Sequence, residues 1–314
     1  MTKTLNTALV HAIAAQPWAM DRLALDAMLA RLTATDVTQA RAPGGDEAQA
    51  AMTPAAERAV ARKEGQVAVI QIRGVIASRQ SFMDWLMDIP AVPPAAIVNA
   101  VEAAMADPAV KAVVMVWDSP GGSPAGVPEA HARLMALRGQ GKPLISHASG
   151  QCGSAAYWMA TAADAFYAEP TAMVGSIGVY QGHMDASGAY AQAGLNKTYI
   201  EAPKGGNKTE GHDAAPLDEA ATAHIQELVD DIYSLFTRDV AAGRAVSEAV
   251  VKSETYGQGR AYLGTRAAER GLVDKVRTFT DLVASLGGTS PAAPQGRGRA
   301  YAQAQARLRG IASE

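Results

Sequence analysis

The feature that most constrains this chain is a series of short, unbroken apolar runs, each stopped by a turn and followed by a helical pattern. Val67-Ala68-Val69-Ile70-Gln71-Ile72 stops at Gly74, and Val110 to Trp117, broken only by Lys111, stops at Ser119-Pro120-Gly121-Gly122. Pro143 to His147 runs into Ser149-Gly150. A half-exposed strand alternates apolar and polar residues, whereas a strand covered on both faces reads as continuous. Pro93-Pro94 opens a helix with Ile97, Val101, Ala104 and Met105 on one face. A second helix ends at Gly139, and a third runs from Gly153 towards Ala163. Short strands are expected at 165–168 and 173–180. Ile225, Leu228, Val229, Ile232, Leu235, Phe236 and Val240 give the most regular helical spacing, with Gly243 expected just past its end. A last helix is expected from Gly264 to Arg270. The alternation implies an α/β fold with a mostly parallel sheet covered by helices.

The same reading divides the 314 residues into four parts. Residues 1–35 are an N-terminal helical segment. Residues 36–66, rich in Ala with Pro43-Gly44-Gly45 and mixed charges, are a linker. Residues 67–286 are the main domain. Residues 287–314 form a Gly/Pro/Ala/Gln tail, basic through Arg297, Arg299, Arg307 and Arg309, and read as disordered.

Composition removes several classes. A net charge of −3 argues against nucleic acid or an anionic membrane as the main partner. No run approaches the about 18–20 apolar residues of a membrane helix. Asn6 and His11 interrupt the N-terminal apolar stretch, so it reads as an amphipathic helix rather than a leader. Cys152, the single cysteine, excludes an intrachain disulfide framework and a multi-cysteine zinc site, and fits a reducing, cytoplasmic setting. The six histidines are scattered, without a His-Glu-x-x-His helix, so neither metal nor cofactor is expected. Aromatics are only 5%, which leaves Ala, Val, Ile and Leu to do most of the packing.

Two glycine-rich turns carry chemical interest. Asp118-Ser119-Pro120-Gly121-Gly122-Ser123 lies at a strand end, where glycines let backbone N–H groups approach a ligand. Ser149-Gly150-Gln151-Cys152-Gly153-Ser154 lies between a strand and a helix, so Ser154 sits at a helix N-terminus. Such a serine is commonly only an N-cap. It is also where an exposed hydroxyl meets unpaired N–H groups suited to an oxyanion. A serine nucleophile needs a base. Lys208, Lys204 and His183, the last oriented by Asp185, are the candidates, and their residue types alone do not rank them.

Asp118-Ser119-Pro120-Gly121-Gly122, Ser154-Ala155-Ala156-Tyr157 with Thr161-Ala162-Ala163-Asp164, and Val174-Gly175-Ser176-Ile177-Gly178-Val179 resemble the signal peptide peptidase A family of serine peptidases. Tyr262 to Ala268 and Gly271-Leu272-Val273-Asp274 extend the resemblance, which spans roughly residues 67–280. It implies a Clp-protease/crotonase-like spiral of ββα units, here with a helical N-terminal extension. It also implies a serine–lysine dyad. Ser154 would be the nucleophile. Lys208, in Gly205-Gly206-Asn207-Lys208, matches the family's Gly-x-x-Lys stretch, and Lys204 lacks that spacing. His183 stays as the alternative base. Gly122 and Ala155 would supply the oxyanion N–H groups.

Gln16-Pro17-Trp18-Ala19-Met20 and His183-Met184-Asp185 are similar to tailed-phage members, the capsid-assembly (prohead) proteases. The implied substrate is a polypeptide, scaffold or capsid protein, cut by a homo-oligomer. A cellular peptide-degrading protease, an inactive head component and an acyl-CoA enzyme of the crotonase fold are the rival readings. Cys152, two residues before Ser154, is expected to be dispensable.

Overall fold

Continuous apolar strands need cover on both faces, and the computed structural model, which describes residues 13–34, 60–78 and 91–288, provides it. The elements that position the site are, in chain order, β1 (Ala19–Met20), α1 (Arg22–Ala34), β2 (Val60–Glu64), β3 (Val67–Arg73), β4 (Val75–Ile76), β5 (Ala91–Val92) and α2 (Pro94–Ala106). Next come β6 (Ala112–Ser119), β7 (Gly121–Gly122), α3 (Val127–Ala136), β8 (Leu144–Gly153), α4 (Ala155–Ala160), β9 (Ala165–Ala168), β10 (Met173–Gly175) and α5 (Ser187–Gln192). The long helix α6 (Glu219–Arg244), α7 (Glu248–Val251), β11 (Ala261–Leu263), α8 (Gly264–Glu269), β12 (Lys275–Val276) and α9 (Phe279–Ser285) complete the chain.

The larger sheet has the order β11-β10-β8-β6-β3-β2, with β9 and β12 branching from β8. β3, β6, β8 and β10 are mutually parallel, as the unbroken apolar runs require. The smaller sheet, β1-β7-β4-β5, stands beside its carboxyl ends. This is the α/β spiral expected from the sequence. The core holds Ile70, Ile72, Val113, Met115 and Leu144. α4 reads Ala-Ala-Tyr-Trp-Met-Ala and is buried at every residue, which is what a helix apolar all round must be. Four aromatics meet here: the Trp158 and Phe236 rings stack at 4.5 Å, and Tyr157 lies 5.7 Å from Phe166.

Four expectations change in detail, the first being that the strand expected at 173–180 ends at Gly175. Residues 60–64, assigned to the linker, form β2 and pair antiparallel with β3 through the two-residue turn Gly65-Gln66. Gly65 has φ +63, which suits the first central position of such a hairpin. β8 runs on to Gly153 rather than stopping near His147, because Cys152 and Gly153 pair with Val174 and Gly175 of β10. Gly243 lies inside α6 and does not cap it. A Cβ there would sit 2.5 Å from Thr161 O, so it is glycine for close packing, and Ala245 takes the left-handed cap. The first twelve residues, residue 35, residues 36–59 of the expected linker, residues 79–90 and the tail from 289 with its four arginines lie outside the described residues.

Candidate active site

The two glycine turns meet because their strands are neighbours. β6 and β8 pair in parallel, and a register shift after Trp117 sets Ser119 beside Cys152. Asp118 ties the turns together: its Oδ1 accepts the Gln151 N–H at 3.2 Å and would touch any Cβ on Gly150, at 2.4 Å. Ser119 Oγ accepts the Gly121 N–H at 3.2 Å, and Ser149 Oγ donates to Trp117 O.

Ser154 sits where β8 breaks into α4. Its backbone has φ +52 and ψ −120, outside the regions a serine ordinarily occupies. Such strain persists only where surroundings impose it. Here its N–H donates to Gly175 O at 2.8 Å, and its C=O accepts the Trp158 N–H of the first helical turn. Ser154 caps no N–H with its side chain, so the N-cap explanation fails. Its Oγ instead donates to Gly178 O at 3.4 Å. Ala155, at the first position of α4, has an N–H with no intrahelical acceptor. Gly121 presses on the nucleophile: a Cβ there would be 2.9 Å from Ser154 Cβ and 2.8 Å from Gly153 O. Gly122 is equally tight, because its Cβ would fall 1.9 Å from Ile76 O. Ser154, Gly121 and Ala155 therefore share one buried corner, with Gly122 next along the chain. A cavity of about 500 Å³ opens beside it, lined by Met20, Gly178, Tyr180, Tyr233 and Lys252.

None of the three base candidates is among the residues lining that cavity. Residues 186–218 form an arm off the sheet. Lys208 and Lys204 are exposed on it, and neither lines the cavity beside Ser154. The arm rests on α6 through Glu210 and His224, 2.5 Å apart, and is braced internally by Lys197, Asp213 and Tyr190. Burial opposes the charge on Lys197, but hydrogen bonds to the Asp213 carboxylate and to tyrosines raise its pKa overall. His183 is half-buried, with Nε2 at 3.1 Å from Ala215 O. Asp185 accepts the Ser187 N–H at 2.9 Å, and that local bonding holds its carboxyl low. Cys152 is wholly buried, and burial pushes its thiol up. It therefore stays protonated and faces the core. Among the described residues, no cluster of His, Cys, Asp and Glu could hold a metal ion. No described helix is long and apolar enough to cross a membrane.

Residues 136–290 match the family model for peptidase family S49. The chain carries a peptidase S49 domain. That match spans Ser154, Ala155, His183 and Lys208, while Gly122 lies before it. The S49 fold is the Clp-protease/crotonase-like one described above. The chain is 32% identical over 180 residues to a putative protease, MJ0651, of Methanocaldococcus jannaschii, covering 57% of this chain and 56% of that protein. It is 30% identical over 204 residues to the head-tail preconnector protein GP5 of Enterobacteria phage P21, covering 62% and 40%. It is 27% identical over 217 residues to the capsid assembly protease C of Escherichia phage lambda, covering 69% and 48%. The chain thus spans about half the length of these relatives. Two features of the candidate site were not singled out in the sequence. One is the role of Gly121 against Ser154. The other is β1, which lies along Gly121-Gly122. Trp18-Ala19-Met20 was visible as a motif, but nothing in a single strand of sequence says what it pairs with.

Proposed function

We infer that this protein is a serine endopeptidase with Ser154 as nucleophile and Lys208 as base, acting on head or scaffold proteins during phage capsid maturation. The observation that carries the chemistry is the strained, uncapped Ser154 beside Gly122 and the Ala155 N–H. The capsid setting is supported by the likeness to protease C of phage lambda and GP5 of phage P21. In the reaction, Lys208 takes the Ser154 Oγ proton as Oγ attacks the scissile carbonyl. Gly122 and Ala155 N–H groups hold the oxyanion. Lys208 protonates the leaving amine, and water then frees the acyl group.

A base must lie within hydrogen-bond reach of the proton it removes. Lys208 is exposed on the arm and does not line the cavity beside Ser154. Ile200 on the same arm is 98% exposed and Leu195 51%, an apolar patch that favours cover by another copy. The dyad is therefore completed between copies, with Lys208 of the partner subunit reaching this chain's Ser154.

The test is hydrolysis of unfolded casein by the full chain. Ser154→Ala and Lys208→Ala are each expected to lose all turnover while remaining folded, and His183→Ala to keep it. Mixing the two inactive variants should restore part of the activity, because each supplies what the other lacks. Full activity in Ser154→Ala would overturn the reading. Survival of Lys208→Ala with loss in His183→Ala would move the base to His183.

A further inference from the structure

β1 is bonded as a bound peptide would be. Trp18 exchanges hydrogen bonds with Tyr180 on one side, N–H to O at 2.8 Å and O to N–H at 3.1 Å. On the other side Ala19 and Met20 face Gly122 and Gly121 in antiparallel register, and the Asp21 N–H donates to Pro120 O at 2.9 Å. Antiparallel ladders alternate bonded and unbonded pairs. With Asp21/Pro120 bonded, Ala19/Gly122 is the next bonded pair, so the Ala19 carbonyl lies on the Gly122 N–H. That N–H is the proposed oxyanion donor. The same carbonyl oxygen lies 2.4 Å from the place a Gly121 Cβ would occupy, and Ser154 Cβ lies 2.9 Å from that place. Residues 18–20 therefore fill a slot one strand wide, with the Ala19 carbonyl paired to the Gly122 N–H and close to Ser154. Ala19 is wholly buried there, so only a small side chain fits at that position. Met20 packs with Leu25, Met28 and Val75, which anchors the chain after the slot. The slot admits one strand, so no other peptide can reach Gly122 while this one is present.

We propose that the Ala19–Met20 peptide bond is a self-cleavage site, and that this cut opens the slot to other substrates. The inference rests on the serine-peptidase reading above. Ser154 Oγ bonds to the Ala19 carbonyl carbon, and its proton passes through the base to the Met20 nitrogen as the Ala19–Met20 C–N bond breaks. Water then adds hydroxide to the Ala19 carbonyl carbon and returns a proton to Ser154 Oγ. Residues 1–19 leave as a peptide ending in the Ala19 carboxylate. Met20 becomes the amino terminus, still held by the Asp21 N–H and by packing of α1.

The test is intact-mass and amino-terminal sequencing of the purified full chain, wild type and Ser154→Ala, with casein hydrolysis measured on the same samples. Wild type beginning at Met20, with Ser154→Ala retaining its first nineteen residues, is the expected result. Wild type that hydrolyses casein with residues 1–19 attached would overturn the self-cleavage and leave the peptidase reading standing. Cleavage at another bond, or the same truncation in Ser154→Ala, would also overturn it. A wild type that cuts neither itself nor casein would overturn both readings.

Discussion

Gly121→Ala separates backbone strain from site geometry, because Gly141 provides a matched control. Gly121 has φ +98 and Gly141 φ +84, so an alanine is strained at either. A left-handed alanine costs about 1–2 kcal/mol. Around Gly141 nothing lies within 4 Å, so Gly141→Ala should lose only that amount. At Gly121 the new methyl also meets Gly153 O at 2.8 Å, Ser154 Cβ at 2.9 Å and Ala19 O at 2.4 Å. Carbon does not approach these atoms closer than about 3.5 Å without repulsion, so the turn or Ser154 must shift by roughly 0.5–1 Å. A displacement of about 1 Å at a nucleophile costs on the order of a hundredfold in rate. Urea denaturation reads the stability of both variants, circular dichroism confirms that both are folded, and casein hydrolysis reads activity. Gly141→Ala should keep the wild-type rate. Gly121→Ala should lose about a hundredfold or more. Equal rates in the two variants would refute the claim that Gly121 sets the position of Ser154.

His131 gives a pH-dependent stability. Burial, against a partial pull from Asp239, lowers its pKa from 6.5 to about 4, and Nε2 pairs with Thr161 Oγ1 at 3.3 Å. A depressed histidine pKa favours the neutral folded form, so the stability it contributes is whole above pH 6.5 and is lost as pH falls towards 4. The full loss is about 3 kcal/mol, and urea midpoints at pH 7.5 and 5 should fall further for wild type than for His131→Gln. Cys152→Ser should keep full casein hydrolysis per folded molecule while losing about 1–3 kcal/mol, the cost of a buried hydroxyl without a partner. Lost activity with the fold intact would show that the thiol takes part.

The legible parts of the fold are those whose burial is two-sided. The runs at 67–72 and 110–117 could only be central parallel strands, and the helix opened by Pro93-Pro94 starts where proline's fixed φ requires. β2 was missed because Val60-Ala61-Arg62-Lys63-Glu64 lies at the sheet edge, where charge is tolerated, although Gly65-Gln66 is a readable hairpin turn. The end of β8 was missed because Ser149-Gly150-Gln151 reads as a loop, and only pairing with β10 keeps it extended. At the site, Ser154 and the two glycine turns stood out because glycine and a helix-starting serine have few local explanations. The place of Lys208 was not legible, since its distance from Ser154 depends on how an exposed arm meets its surroundings. Nor was the pairing of Trp18–Met20, a contact across about a hundred residues of sequence, of the kind that local propensity does not encode.

The central claim is that Ser154 is the nucleophile, and its most direct test is covalent. Wild-type protein treated with a fluorophosphonate, digested and mapped by mass spectrometry should carry one phosphonyl adduct, on Ser154, with labelling reduced in Lys208→Ala and absent in Ser154→Ala. An adduct on another residue, or a chain that hydrolyses casein while Ser154 stays unlabelled, would contradict the account.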